Sequence, residues 1–192
     1  MSNTFDAISW VIKNRRTTKP PEMNGQKIPD EQITTLLELA DWAPTHANTE
    51  PWNFMVYSNP KIFGEQHAEL YKASTPAGNF MQMTYDKLLN MPNKASHIIL
   101  CTMQRKPLTR IAVIEETAAT ACAMQNILLA ATALNIASYW GSGGMIHSEA
   151  MKQFLGLGDN DVVMGALYLG YSDVKPIGKR NIPLSEKVIW IK

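Results

Sequence analysis

Cysteine is scarce in this chain of 192 residues: there are two, Cys101 and Cys122. That excludes a disulfide framework and any zinc site built on paired cysteines. Both lie in apolar runs, so buried free thiols are expected, with a single disulfide as the alternative. An excess of one charge is also lacking. Eighteen lysines and arginines stand against 17 aspartates and glutamates, a net charge of +1. The chain as a whole therefore has no pull toward nucleic acid or an anionic membrane, and any basic function must be local. No apolar run approaches the ~20 residues that span a bilayer. Met1 to Asp6 has no basic stretch leading into an apolar segment, so no signal peptide is expected. Elimination leaves a soluble cytoplasmic protein. Repeats, low-complexity tracts and linkers are missing too, which predicts one domain over residues 1–192. The four histidines show no metal-ligand spacing.

What is present is a globular composition, 45% hydrophobic and 18% charged. Phe5, Ile8 and Ile12 recur at helical spacing and predict a short amphipathic helix ending near Asn14. Pro29-Asp30-Glu31 opens a second, because proline suits a first turn and acids favour its positive end. Its apolar face is Ile33, Leu36, Leu37 and Ala40. Strands are predicted from Trp52 to Tyr57, His97 to Met103, Ile136 to Trp140 and Val162 to Leu169. Helices are predicted from Lys61 to Lys72, Ser148 to Leu155 and, longest, Ile111 to Leu134. In the longest, Ile114, Ala118, Ala121, Cys122, Gln125, Leu128, Leu129 and Thr132 suggest a central helix covered on several sides. The methionine-rich stretch from Ala73 to Met91 has no clear period and suggests a mobile helical flap. Ile177 to Lys192 reads as an extended tail. The order of elements is not a simple βαβ alternation, so the fold class is α+β, one sheet with helices around it.

Four segments carry candidate chemistry. Arg15-Arg16-Thr17-Thr18-Lys19 concentrates three cations and two hydroxyls, a donor set suited to phosphate. Taken alone, a charge run capping a helix C-terminus is the simpler reading. The loop from Thr45 to Pro51 is dense in polar groups and holds His46 and Asn48. For His67 and His147 surface positions are expected, and His97 starts a strand. Trp140-Gly141-Ser142-Gly143-Gly144 follows a strand. It fails the dinucleotide fingerprint, because Ile146 stands at the third glycine position, and it lacks the pattern of a nucleophile elbow. It is either an ordinary glycine turn or bare backbone that lets a flat ligand approach closely. Lys179-Arg180 is a second basic pair, which alone is only a charged tail.

In order and spacing these segments resemble the nitroreductase family of FMN-dependent oxidoreductases. The resemblance rests on Arg15-Arg16-Thr17, on the loop Ala43-Pro44-Thr45-His46-Ala47-Asn48-Thr49-Glu50-Pro51-Trp52, on Trp140 to Gly144, on the strand ending in Gly170, and on Lys179-Arg180. The proline-tryptophan loop is the most specific part, and the subgroup with Thr-His in that loop is nearest. The resemblance implies a homodimer with FMN at the subunit interface. It places Arg15 on the FMN phosphate, Arg16 and Thr17 on phosphate, ribityl chain or ring, and Lys19 near the pyrimidine edge. Trp42 and His46 would come from the partner chain, and Asn48 of the same loop is a further cofactor-binding candidate. Trp140, Gly141 and Ser142 would lie along the flavin, with Gly143 and Gly144 beside its reactive nitrogen. Lys179 or Arg180 would close on the phosphate. The implied activity is ping-pong transfer from NAD(P)H to a small acceptor such as a nitroaromatic, quinone or activated alkene. A dehalogenase, a dehydrogenase or a flavin-binding module without turnover would share the fold. Glu50 stands where glutamine is usual, Gly141 where relatives can carry arginine, and Asn93 to His97 lacks a common proline. The first two bear on donor preference and flavin potential, the third on the entry to a strand.

Overall fold

The computed structural model describes residues 3–106 and 110–192. The reading of the N-terminus as free of a signal peptide therefore rests partly on Met1 and Ser2, which lie outside the described residues. Four strands make one antiparallel sheet in the order β1-β2-β4-β3. They are β1 (Trp52–Tyr57), β2 (His97–Met103), β3 (Ala137–Gly141) and β4 (Val162–Gly170). Among the described residues six α-helices accompany them: α1 (Thr4–Asn14), α2 (Asp30–Ala40), α3 (Pro60–Ser74), α4 (Gln82–Asn90), α5 (Val113–Ala133) and α6 (Glu149–Phe154). The α+β expectation holds.

Strand alternation explains where the core sits. In β2, Ile99, Cys101 and Met103 point to one face and join α2 and α5 through Leu36, Met124 and Ile127. Ile98 and Leu100 point to the other, where Phe63 of α3 and Met151 of α6 cover them. β2 is buried along its whole length, hence its continuous apolar run.

Helix α5 departs from expectation. Its buried face is Glu116, Ala119, Thr120, Ala123, Met124, Ile127, Leu128 and Ala131. Ile114, Ala118, Cys122 and Gln125 lie on the opposite, exposed side. Both sides are apolar or small, so the period alone could not tell which one meets the sheet. The cysteine expectation is corrected in the same way: both thiols are free, but only Cys101 is buried. Burial in the sheet raises the Cys101 thiol pKa far above its ordinary range.

The methionine-rich stretch is helical over α4, as expected, and packs on α3. Tyr71 stacks on Phe80 with ring centroids 5.6 Å apart, and its hydroxyl accepts the Met81 N–H at 3.0 Å. Tyr85 donates to Glu69. After Gly170 the chain is mostly irregular, and Ile177, Ile189, Trp190 and Ile191 are left exposed. The entry to β2 is tied down by a chain of hydrogen bonds that is buried at Ser96 and His97 and ends on the exposed Asp30. Ser96 Oγ accepts the Ile28 N–H and meets His97 Nδ1, while His97 Nε2 meets Asp30 Oδ1 at 2.9 Å. Ser96 is fully buried, so this serine-histidine-aspartate chain serves the fold and offers no nucleophile.

Candidate active site

Three segments distant in sequence meet along β3. Thr17 forms a bridge with Ser138, and the Thr18 N–H donates to the Ser138 carbonyl at 2.9 Å. The basic run therefore lies beside the strand that leads into Trp140 to Gly144. On the same side, the Arg16 guanidinium lies against Gly178, where even a methyl group would collide with it. That contact brings the tail just before Lys179-Arg180 to the basic run.

Period-two alternation splits this extended run. Arg16 and Thr18 face a cleft of about 480 Å³ shared with Asn14, Asn135, Ser172 and Lys175. Arg16 Nη1 donates to the Lys13 and Arg15 carbonyls at 2.6 and 2.8 Å, capping the last turn of α1. Arg16 thus fills the helix-capping role and still keeps Nε and Nη2 as donors. Arg15, Thr17 and Lys19 do not line that cleft. Among the described residues, the half-buried Arg15 guanidinium has no hydrogen bond or ion pair, and neither has the Lys19 ammonium. Lys179 and Arg180 are exposed, and Arg180 donates only to the Lys179 carbonyl.

At the end of β3 the side chains turn inward and leave backbone facing out. Trp140 Nε1 donates to the Met164 carbonyl at 3.0 Å, at a bulge where β4 changes register. Gly165 adopts φ +142° there, and a Cβ on it would strike the indole. Gly141 is buried, and a Cβ would come within 2.9 Å of both the Tyr139 and Tyr168 rings. A side chain at that position would force the rings apart, so only its backbone is available to a ligand. Ser142, Gly143 and Gly144 are exposed, and nothing lies within 4 Å of where a Gly143 Cβ would stand.

His67 was expected at the surface and is not. It is 3% exposed, packed 5.2 Å from the Phe63 ring, and its Nε2 accepts the Met145 N–H at 2.8 Å. Burial pushes its pKa down to about 4, so the ring is neutral at ordinary pH. Its role was invisible in sequence because α3 and the glycine turn are 78 residues apart. The one hint was its place on the apolar face of α3 with Phe63, Gly64 and Ala68.

The proline-tryptophan loop is placed separately. Trp52 Nε1 donates to Asp41 Oδ1, and Thr45 Oγ1 meets both Thr49 Oγ1 and the Glu50 N–H. Ala47, Asn48 and Glu50 have φ of 51°, 52° and 45°. Asparagine tolerates this conformation, but for the other two it costs on the order of 1–2 kcal/mol each. His46 Nδ1 lies 2.6 Å from Glu115 Oε2 in the first turn of α5. Trp42 is 85% exposed. Among the described residues, no hydrogen bond or ion pair joins Trp42, His46 or Asn48 to Arg15–Lys19, to Trp140–Gly144 or to Lys179-Arg180. Within one chain, Trp42, His46 and Asn48 are therefore not tied to the other predicted site residues by hydrogen bonds or ion pairs.

The sequence matches the Nitroreductase family model over residues 12–171. The chain belongs to the nitroreductase family, a family of oxidoreductases. It is 29% identical over 185 residues to the Bacillus subtilis protein named "Putative NAD(P)H nitroreductase YfhC", covering 92% of this chain and 90% of that one. An Archaeoglobus fulgidus protein named "Putative NADH dehydrogenase/NAD(P)H nitroreductase" is 32% identical over 164 residues, 84% of this chain and 83% of its own. Among solved structures, a nitroreductase-like family protein from Bacillus cereus superposes with a TM-score of 0.80 at 27% identity, over the full length of both chains. The FMN-dependent nitroreductase NfnB from Mycobacterium smegmatis, solved with NADPH, shares the fold at a TM-score of 0.70 and 20% identity, over 99% of this chain and all of that one. None of the described helices is long and apolar enough to cross a membrane.

Proposed function

We propose that this nitroreductase is a single-domain, cytoplasmic homodimer that binds FMN, takes electrons from NAD(P)H and delivers them to a small acceptor. The observation that carries the reading is the convergence on β3 of the basic run, the bare glycine turn and the tail beside Lys179-Arg180. The chemistry of these groups fits the cofactor. Arg15 offers a guanidinium with no hydrogen bond or ion pair among the described residues, suited to a phosphate. Thr17 adds a hydroxyl, Arg16 its remaining donors, and Lys179 or Arg180 a second cation from the tail. Lys19, two residues beyond Thr17, supplies positive charge where the ring's pyrimidine edge would lie. Such a charge favours the electron-rich state of a bound flavin. Ser142, Gly143 and Gly144 present backbone to the ring and leave its other face open.

When bound, FMN would supply the two-electron chemistry between donor and acceptor. The residues of the chain bind, orient and shield; none is required as an acid or base at that step. Nitroaromatics, quinones and activated alkenes are the acceptor classes such a face admits.

Dimerisation follows from what one chain leaves uncovered. Helix α1 has no buried residue, and Phe5, Ile8, Trp10 and Ile12 are each more than half exposed. Trp42, the open side of α5 and the terminal Ile189-Trp190-Ile191 add further apolar surface. A second copy covering these surfaces would bring the Trp42, His46 and Asn48 group to the partner's β3 site. The test is the absorbance spectrum of FMN-loaded protein before and after anaerobic NADPH, together with the molar mass in solution. A bleached flavin band on a dimer is expected. Protein that cannot be loaded with FMN contradicts the proposal.

A further inference from the structure

We infer that His67 is a positioning residue for the flavin, acting through the Met145 amide on the Gly143-Gly144 backbone. The inference rests on the FMN reading above and adds what holds the turn in place. The turn has one open side and one wall. Gly143 faces open space, whereas Gly144, at φ +67°, is backed so closely that a Cβ would lie 2.6 Å from Leu88 Cδ2 and 2.7 Å from His67 Nε2. His67 comes from α3 and Leu88 from α4, two helices that pack against each other. The wall is therefore a helix pair, not a loop.

Among the described residues, the one hydrogen bond between that wall and the turn is the Met145 N–H donating to His67 Nε2 at 2.8 Å. The acceptor lone pair fixes the tautomer: the ring proton sits on Nδ1. It also fixes how far the peptide units of Gly143 and Gly144 stand from the helices. Glycines have no side-chain contacts of their own, so without this bond the turn would be set only by its flanks. A backbone donor aimed at a ring nitrogen loses effect when it shifts by a fraction of an ångström, as preorganised electrostatics require. A buried apolar site would have held the helices together equally well; an imidazole acceptor is needed only if the amide must be held.

The test compares wild type, His67→Leu and His67→Gln. Leucine removes the acceptor at similar volume, and glutamine keeps one through its side-chain carbonyl. The readouts are the urea midpoint of the apoprotein, the FMN dissociation constant, the flavin midpoint potential and the rate constant of anaerobic reduction at saturating NADPH. The expected result for leucine is a rate constant about tenfold lower and a displaced potential, with FMN affinity changed by less than about threefold, and recovery toward wild type with glutamine. A leucine variant that binds FMN with wild-type potential and rate overturns the inference while leaving the FMN reading intact. Wild-type protein that binds no FMN overturns the FMN reading itself. Should the leucine variant not fold, amide exchange in wild type decides. Slow exchange at Met145 whose rate changes when FMN is added supports the inference, and exchange as fast as an exposed loop, unmoved by FMN, refutes it.

Discussion

Replacing His67 by glutamine changes not only how stable the protein is but how that stability depends on pH. The imidazole has an ordinary pKa of 6.5, which burial lowers to about 4 in the folded chain. The unfolded chain thus takes up a proton near 6.5, whereas the folded chain resists until about 4. Stability from this group is full above 6.5, falls as the pH drops through the window from 6.5 to 4, and levels off below it. At 1.36 kcal/mol per pH unit the limiting loss is about 3 kcal/mol, and by pH 5 it is about 2 kcal/mol relative to pH 7.5. His97, whose pKa burial also lowers, tilts stability in the same direction, but it does so in both proteins and cancels in the difference. The assay is urea unfolding of wild type and His67→Gln from pH 7.5 to 5, at fixed protein and FMN concentrations. The stability difference, wild type minus variant, should fall by about 2 kcal/mol across that range. A difference that stays constant with pH would show that His67 titrates alike in both states and would remove the basis for its neutral, acceptor role.

Three other outcomes follow from the geometry. Arg105→Met should cost about 3–5 kcal/mol in urea unfolding, because Glu116 is 1% exposed and its Oε2 lies 2.8 Å from Arg105 Nε, close in charge though not aligned as a hydrogen bond. Pairing that change with Glu116→Leu should recover much of the loss. Trp140→Phe should cost about 1–3 kcal/mol by leaving the Met164 carbonyl in the bulge unpaired, with a smaller effect on FMN affinity. Gly178→Ala should weaken FMN binding more than it lowers the melting temperature, because the added methyl displaces the Arg16 guanidinium; a titration with FMN checks it.

The parts of this protein that depend on local pattern were legible in its sequence. The four strands and the start of α2 at Asp30 came from runs of β-branched and aromatic residues and from Pro29-Asp30-Glu31, and their ends fall within a residue or so. The basic run, the proline-tryptophan loop and the glycine turn were legible as motifs, but not their mutual distances. What escaped depends on contacts distant in sequence. α5 has small apolar residues on both sides, and only docking on the sheet decides that Ala123 is buried and Cys122 is not. His67 reads as one more polar residue of a surface helix until the turn at Met145 folds against it. The inward set of the Trp140 indole needs a bulge in β4, and no residue of β3 announces it.

The account stands or falls on Arg15. It is the one cation of the basic run that is half-buried, lies outside the lining of the cleft beside Arg16 and has no hydrogen bond or ion pair among the described residues. Its removal breaks no hydrogen bond or ion pair of its side chain among the described residues. The direct measurement is FMN titration of apoprotein, wild type against Arg15→Ala, with the melting temperature of each apoprotein taken alongside. The FMN dissociation constant should rise by about tenfold or more, as expected for losing a charge-assisted pair to phosphate, while the melting temperature stays put. Equal affinity in the two proteins would contradict the account and place the phosphate elsewhere.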